Sequence, residues 1–353
     1  MNKKILSLLC AAAIAACSLC ACGQNDKAES SETVKSSSES AQSASSETDE
    51  PSETDISVTD SETTAESDIT PAMWKVNCDN GAVVTLVGSM HALEESDYPL
   101  PQIMMDAFND SDILAVEADL ASGDSITFQS ALLASMYYDD PDDSLDKHIS
   151  QEAYDALSDY LAQFSLDLSM YKHTRPWAVG NIADTIAMQE SGLSGDIGID
   201  RYFLDKARED GKEIFEVEGI EFQMDLLMNF SDDIYDMLFR GYKGKTKEDQ
   251  LELLMTTHEA WATGDTDTIE KIDSEEKEVS ETDAALMEDY SNQFLYDRNK
   301  VMTGAAENFI NEGKDVFFIV GAAHFVGEKG IIALLENDGY TVERIEYYSN
   351  PTF

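Results

Sequence analysis

Cysteine is almost absent from the chain beyond its first 22 residues. Of five cysteines, Cys10, Cys17, Cys20 and Cys22 stand at the N-terminus, and only Cys78 follows. No disulfide can form within that remainder, so a packed core rather than covalent staples must hold it together. Cys78 lies in "VNCDNGAV", a turn sequence and a poor setting for a nucleophile. Basic residues are scarce too: 23 Lys and Arg stand against 71 Asp and Glu, for a formal net charge of −48. Such a surface repels a phosphate backbone, which excludes nucleic acid as an ordinary partner. It also opposes docking on anionic lipid. Most of these charges read as a solvated, solubilising exterior.

What is present falls into three stretches. "MNKK" is a short basic start, and "ILSLLCAAAIAACSLCA" is an apolar run too short for a stable membrane span. Together they predict a secretory signal over residues 1–21. The run ends in "LCAC", so a bacterial lipobox would place the lipidated (palmitate-bearing) N-terminus at Cys22, with Cys17 after "IAA" as the competing site. The expected location is outside the cytoplasm, anchored to the cell membrane as a lipoprotein; the alternative is a soluble exported protein. Residues 22–72 are Ser, Thr, Glu and Asp with almost no large apolar side chain. That composition cannot bury a core and predicts a disordered acidic tether.

From residue 73 to 353 the pattern is that of a globular domain. "MWKVNCDNGAVVTLVGSMH" predicts a hairpin turning at Asp79-Asn80-Gly81. "LPQIMMDAFNDSD" has helical spacing, "ILAVEADL" is a short continuous apolar run of the kind that forms a buried strand, and "KEIFEVEG" is another short strand. Residues 125–190 and 221–300 are mostly helical in period, with "GIDRYFLDKAREDG" a further helix closed by Gly211. The C-terminal part returns to alternation, with "DVFFIVGAAH" a strand, "GIIALLENDG" a helix and "YTVERIEYY" a strand. Strand–helix alternation at both ends of a helical middle predicts one α/β domain: a central mixed sheet flanked by helices, with a large helical insertion.

Two strands end alike. "VVTLVGSMH" carries Gly88 and His91, and "FFIVGAAH" carries Gly321 and His324, in a chain with only five histidines. "ILAVE" ends in Glu117, and "IFEVE" ends in Glu218. In an open α/β sheet ligands gather beyond the carboxyl ends of the strands. If these strands are parallel neighbours, both imidazoles and one or two carboxylates converge in one crevice. Each glycine permits a tight exit with close backbone approach. Two histidines and a carboxylate are a common ligand set for a divalent metal with a position left for water. They are equally compatible with strand-end histidines bonded only to their neighbours. Glu218 is either an outer carboxylate orienting a ligand histidine or a solvent-facing strand end. Asp200-Arg201 reads as a helix start before a substrate clamp. His148, His173 and His258 have no partner motif, and the Tyr and Met residues between 125 and 260 read as core.

With those residues in view, "LVGSMHALEESDYPLPQIMMDAFNDSDILAVEADL" and "FFIVGAAHFVGEKGIIALLENDGYTVERI" resemble the TraB/GumN family, which includes the Tiki proteins. "RPWAVGNIA", "GIDRYFLDKAREDGKEIFEVEGIEFQMDLL", "EAWATGD" and "LYDRN" extend the likeness over residues 74–348. It implies a fold similar to the erythromycin esterase and ChaN-like proteins and a divalent-metal-dependent protease site (Mn, Co or Zn). His91, His324 and Glu117 would then be ligands, Glu117 alternatively the general base, and Arg298 of "LYDRN" a stabiliser of developing charge. Arg201 departs from the family pattern, in which Gln or another polar residue often follows "G-x-D". The expected partner is a peptide or protein substrate, with the membrane reached only through the lipid. A rival of another class is a non-catalytic protein that sequesters a peptide, a signal or a haem-like ligand. A lesser one is an esterase.

Overall fold

The computed structural model describes residues 67–274 and 280–347. The expected signal, both candidate lipidation cysteines (Cys22 and Cys17) and nearly all of the expected tether lie outside the described residues. Packed chain begins earlier than residue 73, however. Ile69 and Ala72 are buried, and the Thr70 amide donates to the Ala262 carbonyl. Packed structure therefore reaches back past the expected boundary at residue 73: Ile69 is an apolar side chain inside an otherwise polar composition, and it joins the core around Met73 and Val87.

Strands β1 (Met73–Asn77) and β2 (Val83–Ser89) form the expected antiparallel hairpin. Gly81 takes φ +92° at its turn, and the Asn80 side chain accepts from the Ala82 amide while donating to the Gly313 carbonyl. After α1 (Gln102–Asp110) comes β3 (Ile113–Val116). Helices α2 (Ile126–Ser135), α3 (Gln151–Ala162), α4 (Pro176–Ser191) and α5 (Ile199–Asp210) then lead to β4 (Glu213–Glu216). Pro176 opens α4, where its fixed φ fits and its missing N–H is no loss, and Gly192 closes it at φ +90°.

A second helical run follows: α6 (Ile220–Asn229), α7 (Asp232–Arg240), α8 (Lys247–Ala262), α9 (Thr266–Ser274) and α10 (Glu281–Ser291). Thr246 and Asp249 close a reciprocal capping box at the start of α8, which satisfies two otherwise orphaned amides. A π-helical turn at Asn292–Tyr296 joins α10 to α11 (Asp297–Glu312). The chain ends in β5 (Val316–Gly321), α12 (Ile331–Asn337) and β6 (Glu343–Arg344). The last strand is shorter than "YTVERIEYY" predicts. Among the described residues Glu343 and Arg344 pair with β1 and the Ile345 amide donates to the Met73 carbonyl, while Tyr347 sends its hydroxyl to the Pro71 carbonyl.

The sheet order is β4-β3-β5-β2-β1-β6. The pairs β4–β3, β3–β5 and β5–β2 are parallel, and β1 and β6 are added antiparallel. The sheet is thus mixed and the class α/β. Strands β2, β3 and β5 are covered on both faces, as parallel strands generally are, which explains their unbroken apolar runs. Val87, Leu114, Val116, Phe317 and Ile319 pack on one side against Met104 and Phe108 of α1 and Phe203 and Leu204 of α5. On the other, Leu86, Ala115, Phe318 and Val320 meet Met302, Ala306 and Phe309 of α11 and Ile331 and Leu335 of α12. The helical insertions make a further core of their own around Tyr160, Trp177, Phe239, Tyr242 and Tyr290. No described helix is long and apolar enough to cross a membrane.

Candidate active site

The four parallel strands release their chains at one edge, and the residues singled out from the sequence come together there. His91 lies two residues past β2, Glu117 directly after β3, Glu218 two past β4 and His324 three past β5. Central β5, between β2 and β3, puts Gly321 in the middle of the group. A β-carbon built on Gly321 would lie 3.2 Å from Glu117 Oε1, 3.4 Å from His324 Cδ2 and 3.9 Å from His91 Nε2. Imidazoles from opposite ends of the polypeptide therefore face one small space beside a carboxylate, and only glycine leaves that space open.

Each ring is fixed through its inner nitrogen. His91 Nδ1 is 2.6 Å from Asp200 Oδ2, and His324 Nδ1 is 2.6 Å from Asn299 Oδ1. That leaves both Nε2 atoms directed elsewhere, and His324 Nε2 stands 3.6 Å from Glu117 Oε1. The partners come from the helices. Asp200 sits in the first turn of α5, which the chain brings to the His91 loop by pairing Leu93 with Ser194 and donating the Ile199 amide to the Met90 carbonyl. Arg298 and Asn299 open α11 just after the π-turn, a widened turn of a kind found often at functional sites. As consecutive helical residues they diverge, Arg298 toward the carboxylates and Asn299 toward His324.

Glu117 is buried and tightly held. Its Oε1 accepts the Gly321 amide at 2.6 Å, and its Oε2 accepts Gln223 Nε2 and Arg298 NH2, each at 2.8 Å. Arg298 also grips Glu218 through Nε and NH2, both at 2.9 Å, and donates NH1 to the Phe294 carbonyl at 3.0 Å. Gln223 Nε2 reaches Glu218 as well, at 3.2 Å. This is a buried cluster of one cation and two carboxylates, with a side-chain amide completing the hydrogen bonding that such burial demands.

The electrostatics separate the two imidazoles. Burial works against a charged His91, yet the Asp200 carboxylate outweighs it and holds the ring at about 9. Burial and the nearby Arg298 guanidinium push His324 down to about 3. For Glu117, burial alone favours the neutral acid. Arg298 and the two histidines reverse that and keep it well below the usual carboxylate range.

A pH effect on stability follows from His91. A pKa raised in the folded state contributes stability that is complete below the unfolded value and lost as pH rises through the folded one. Metal-free protein should therefore lose about 3 kcal/mol between pH 6 and 10 from this group. Denaturant titration with chelator present would measure it, and Asp200→Asn should remove the loss.

Among the described residues, no three His, Cys, Asp or Glu side chains are arranged so as to hold a metal ion. The chemistry of the donors fits a divalent ion all the same. Both imidazoles are anchored through the second nitrogen by an oxygen, as ligand histidines generally are, and an anionic carboxylate stands beside them. The arrangement is a cradle with suitable donors rather than a closed coordination sphere.

The other histidines lie apart. His258 Nε2 bonds Asp97 in the interior at 2.8 Å, His148 lies between Asp143 and Asp232, and His173 bonds the Asp143 carbonyl. Cys78 is buried, and burial pushes its thiol up, away from the reactive thiolate. Sequence reasoning missed Asn299 and Gln223 and read Asp200 first as a helix start. The only available signal was position: Asn299 adjoins Arg298 in "LYDRN", and Asp200 and Gln223 fall in "GIDRYFLDKAREDGKEIFEVEGIEFQMDLL".

Comparison with known proteins places this constellation in context. The model of the TraB/PrgY/gumN family matches residues 72–344. Among curated proteins, the Uncharacterized protein YbaP of Escherichia coli (strain K12) is 26% identical over 147 residues, 42% of this chain and 52% of that protein. Its counterpart in Shigella flexneri matches to the same extent. The chain thus spans about half the length of the curated relatives it matches. No solved structure matches it significantly. The family match takes in both Gly-x-x-His strands and everything between them, and on that extent the chain belongs to the TraB/PrgY/gumN family.

Proposed function

We propose that this protein is a divalent-metal-dependent hydrolase acting on peptide bonds. The observation that carries the reading is the cradle at Gly321. Two imidazoles anchored at Nδ1, by Asp200 and by Asn299, meet an anionic glutamate around a point that a β-carbon would fill.

In this reading His91, His324 and Glu117 hold the ion, which would polarise the scissile carbonyl and make a bound water more acidic. The chain's own groups set up that chemistry. Asp200 and Asn299 fix the ring orientations. Arg298 and Gln223 keep Glu117 in place, and Arg298 keeps it charged. Glu218 in turn holds Arg298, so it supports the site from behind. Arg298 directs its bonds to Glu117, Glu218 and the Phe294 carbonyl. Its contribution is thus to position Glu117 rather than to face the substrate's oxyanion. Hydrolysis adds water across the C–N bond: its oxygen bonds to the carbonyl carbon, and the departing amine gains a proton.

We further propose that the chain acts outside the cytoplasm, held to the membrane by lipid on Cys22. The support is the basic start, the apolar run and its ending in "LCAC".

The test is direct. Full-length protein should be analysed for bound metal and incubated with a peptide digest of casein and added Mn²⁺, Co²⁺ or Zn²⁺. Cleavage is expected, and His91→Ala and His324→Ala should each lower it at least about 10²-fold. Unchanged cleavage by both variants, or peptide binding with no turnover under any metal, would refute the enzyme reading. The latter result would favour sequestration.

A further inference from the structure

Ser89 ends β2 two residues before His91. The residue is 4% exposed, and its hydroxyl oxygen has no hydrogen-bond partner in the protein. A buried hydroxyl without a partner carries a desolvation penalty that alanine at the same place would not. Such a group calls for a ligand or a bound water, and its direction says where.

In the parallel ladder Ser89 is the register partner of Gly321. Register partners on these two strands share a face of the sheet. Leu86 and Phe318 enter one core together, and Val87 and Ile319 enter the other. Ser89 must therefore project to the side on which a Gly321 side chain would project. That direction leads to Glu117 Oε1, His324 and His91 Nε2. Neighbouring strands are about 4.8 Å apart, so the Ser89 side chain leaves the sheet on the cradle's side, one strand from Gly321.

We propose that Ser89 is a water-binding group of the cradle: in the metal-free protein its Oγ holds a water molecule between itself, Glu117 Oε1 and His91 Nε2. Buried waters typically make about three hydrogen bonds, and these three atoms supply that number. Glu117 Oε1 has a lone pair beyond the one given to the Gly321 amide, and the Asp200 contact leaves His91 Nε2 free. The place of this water depends only on the geometry. Its role as the water consumed in peptide hydrolysis rests on the hydrolase reading, in which an ion on His91 and Glu117 would take over their bonds to a water that Ser89 Oγ still holds.

High-resolution crystal structures of the full chain and of its Ser89→Ala variant, both grown with chelator, test the inference, alongside thermal melts and cleavage of the fastest-cut casein peptide with metal restored. The expected result is an ordered water within about 3.2 Å of Ser89 Oγ and in contact with His91 Nε2 or Glu117 Oε1, absent from Ser89→Ala. The variant should melt at the same temperature or higher. Its kcat should fall about 10²-fold with KM unchanged, and Ser89→Thr should restore the rate. A Ser89 hydroxyl turned onto a backbone carbonyl, with no water in reach, would overturn the proposal. So would Ser89→Ala cleaving as fast as the parent, and in that case the hydrolase reading survives. An ordered water in a protein that cuts no peptide leaves the water site standing and removes the hydrolase.

Discussion

Arg298→Ala should lower the unfolding free energy by about 3–5 kcal/mol, the usual result of removing one partner from a buried ionic cluster. The variant leaves Glu117 and Glu218 facing each other with side-chain exposures of 6% and 2%. Only Gln223 would remain to bond both. Two neighbouring buried carboxylates cannot both stay charged, so at least one would take up a proton. The pH dependence should accordingly change sign. In the parent, Glu117 is held below its unfolded pKa, so its contribution is present above that value and lost on acidification. In Arg298→Ala the carboxylate pKa values are raised, and stability should grow as pH falls toward 5. Urea denaturation across pH 5–8 would show both effects. Adding Glu218→Gln to Arg298→Ala should recover part of the loss, and no recovery would count against the ionic explanation.

Gly198→Ala should be the most damaging small change near His91. Gly198 has φ −58° and ψ 149°, a conformation open to any residue, so no backbone strain is involved. The difficulty is contact: a β-carbon would fall 2.1 Å from the His91 carbonyl oxygen and 2.6 Å from its carbon. Those are main-chain atoms with no rotamer to escape into, so the loop carrying His91 must move. A loss of about 1–3 kcal/mol is expected. With it the His91 pKa, observed by NMR, should fall from about 9 toward its ordinary value as Asp200 is left behind. Gly304→Ala makes a suitable contrast. It sits within α11 with nothing near the added carbon and should stabilise by about 0.5–1 kcal/mol. If Gly198→Ala left the His91 titration unchanged, the close approach would not be what sets His91 in place.

Much of this arrangement could be read in advance, for a physical reason. Strands buried on both faces advertise themselves as unbroken apolar runs, and "VVTLVG", "ILAV" and "VFFIVG" each became one. The residue ending such a run lies at the carboxyl edge of a parallel sheet, so His91, Glu117 and His324 are legible as neighbours from the sequence, whereas Glu218 follows the exposed edge strand β4. The helix-borne half of the site was not. Asn299, Gln223 and Asp200 lie on amphipathic segments where a polar side chain usually faces water. Nothing in a one-dimensional pattern distinguishes the few that turn inward. The π-turn that aims Arg298 and Asn299 was equally hidden, since "NQFLY" looks like any other helical turn. Ser89 escaped notice for a simpler reason: its importance lies in lacking a partner, and that can be counted only once every neighbour is placed. The "YTVERIEYY" run illustrates the opposite error, because β-branched and aromatic composition signals a strand without saying whether an edge is free to pair with it.

The position of β5 bears on how the protein is made. This segment, Val316–Gly321, is wedged between β2 and β3, which the ribosome finishes much earlier. Until it emerges, the early strands lack the neighbour that joins them, and half of each one's ladder stays exposed. Such long-range closure tends to be slow and vulnerable to aggregation. A nascent or prematurely stopped polypeptide would therefore carry His91 and Glu117 without the piece that unites them. The site can come into being only once β5 has been made and has inserted between β2 and β3.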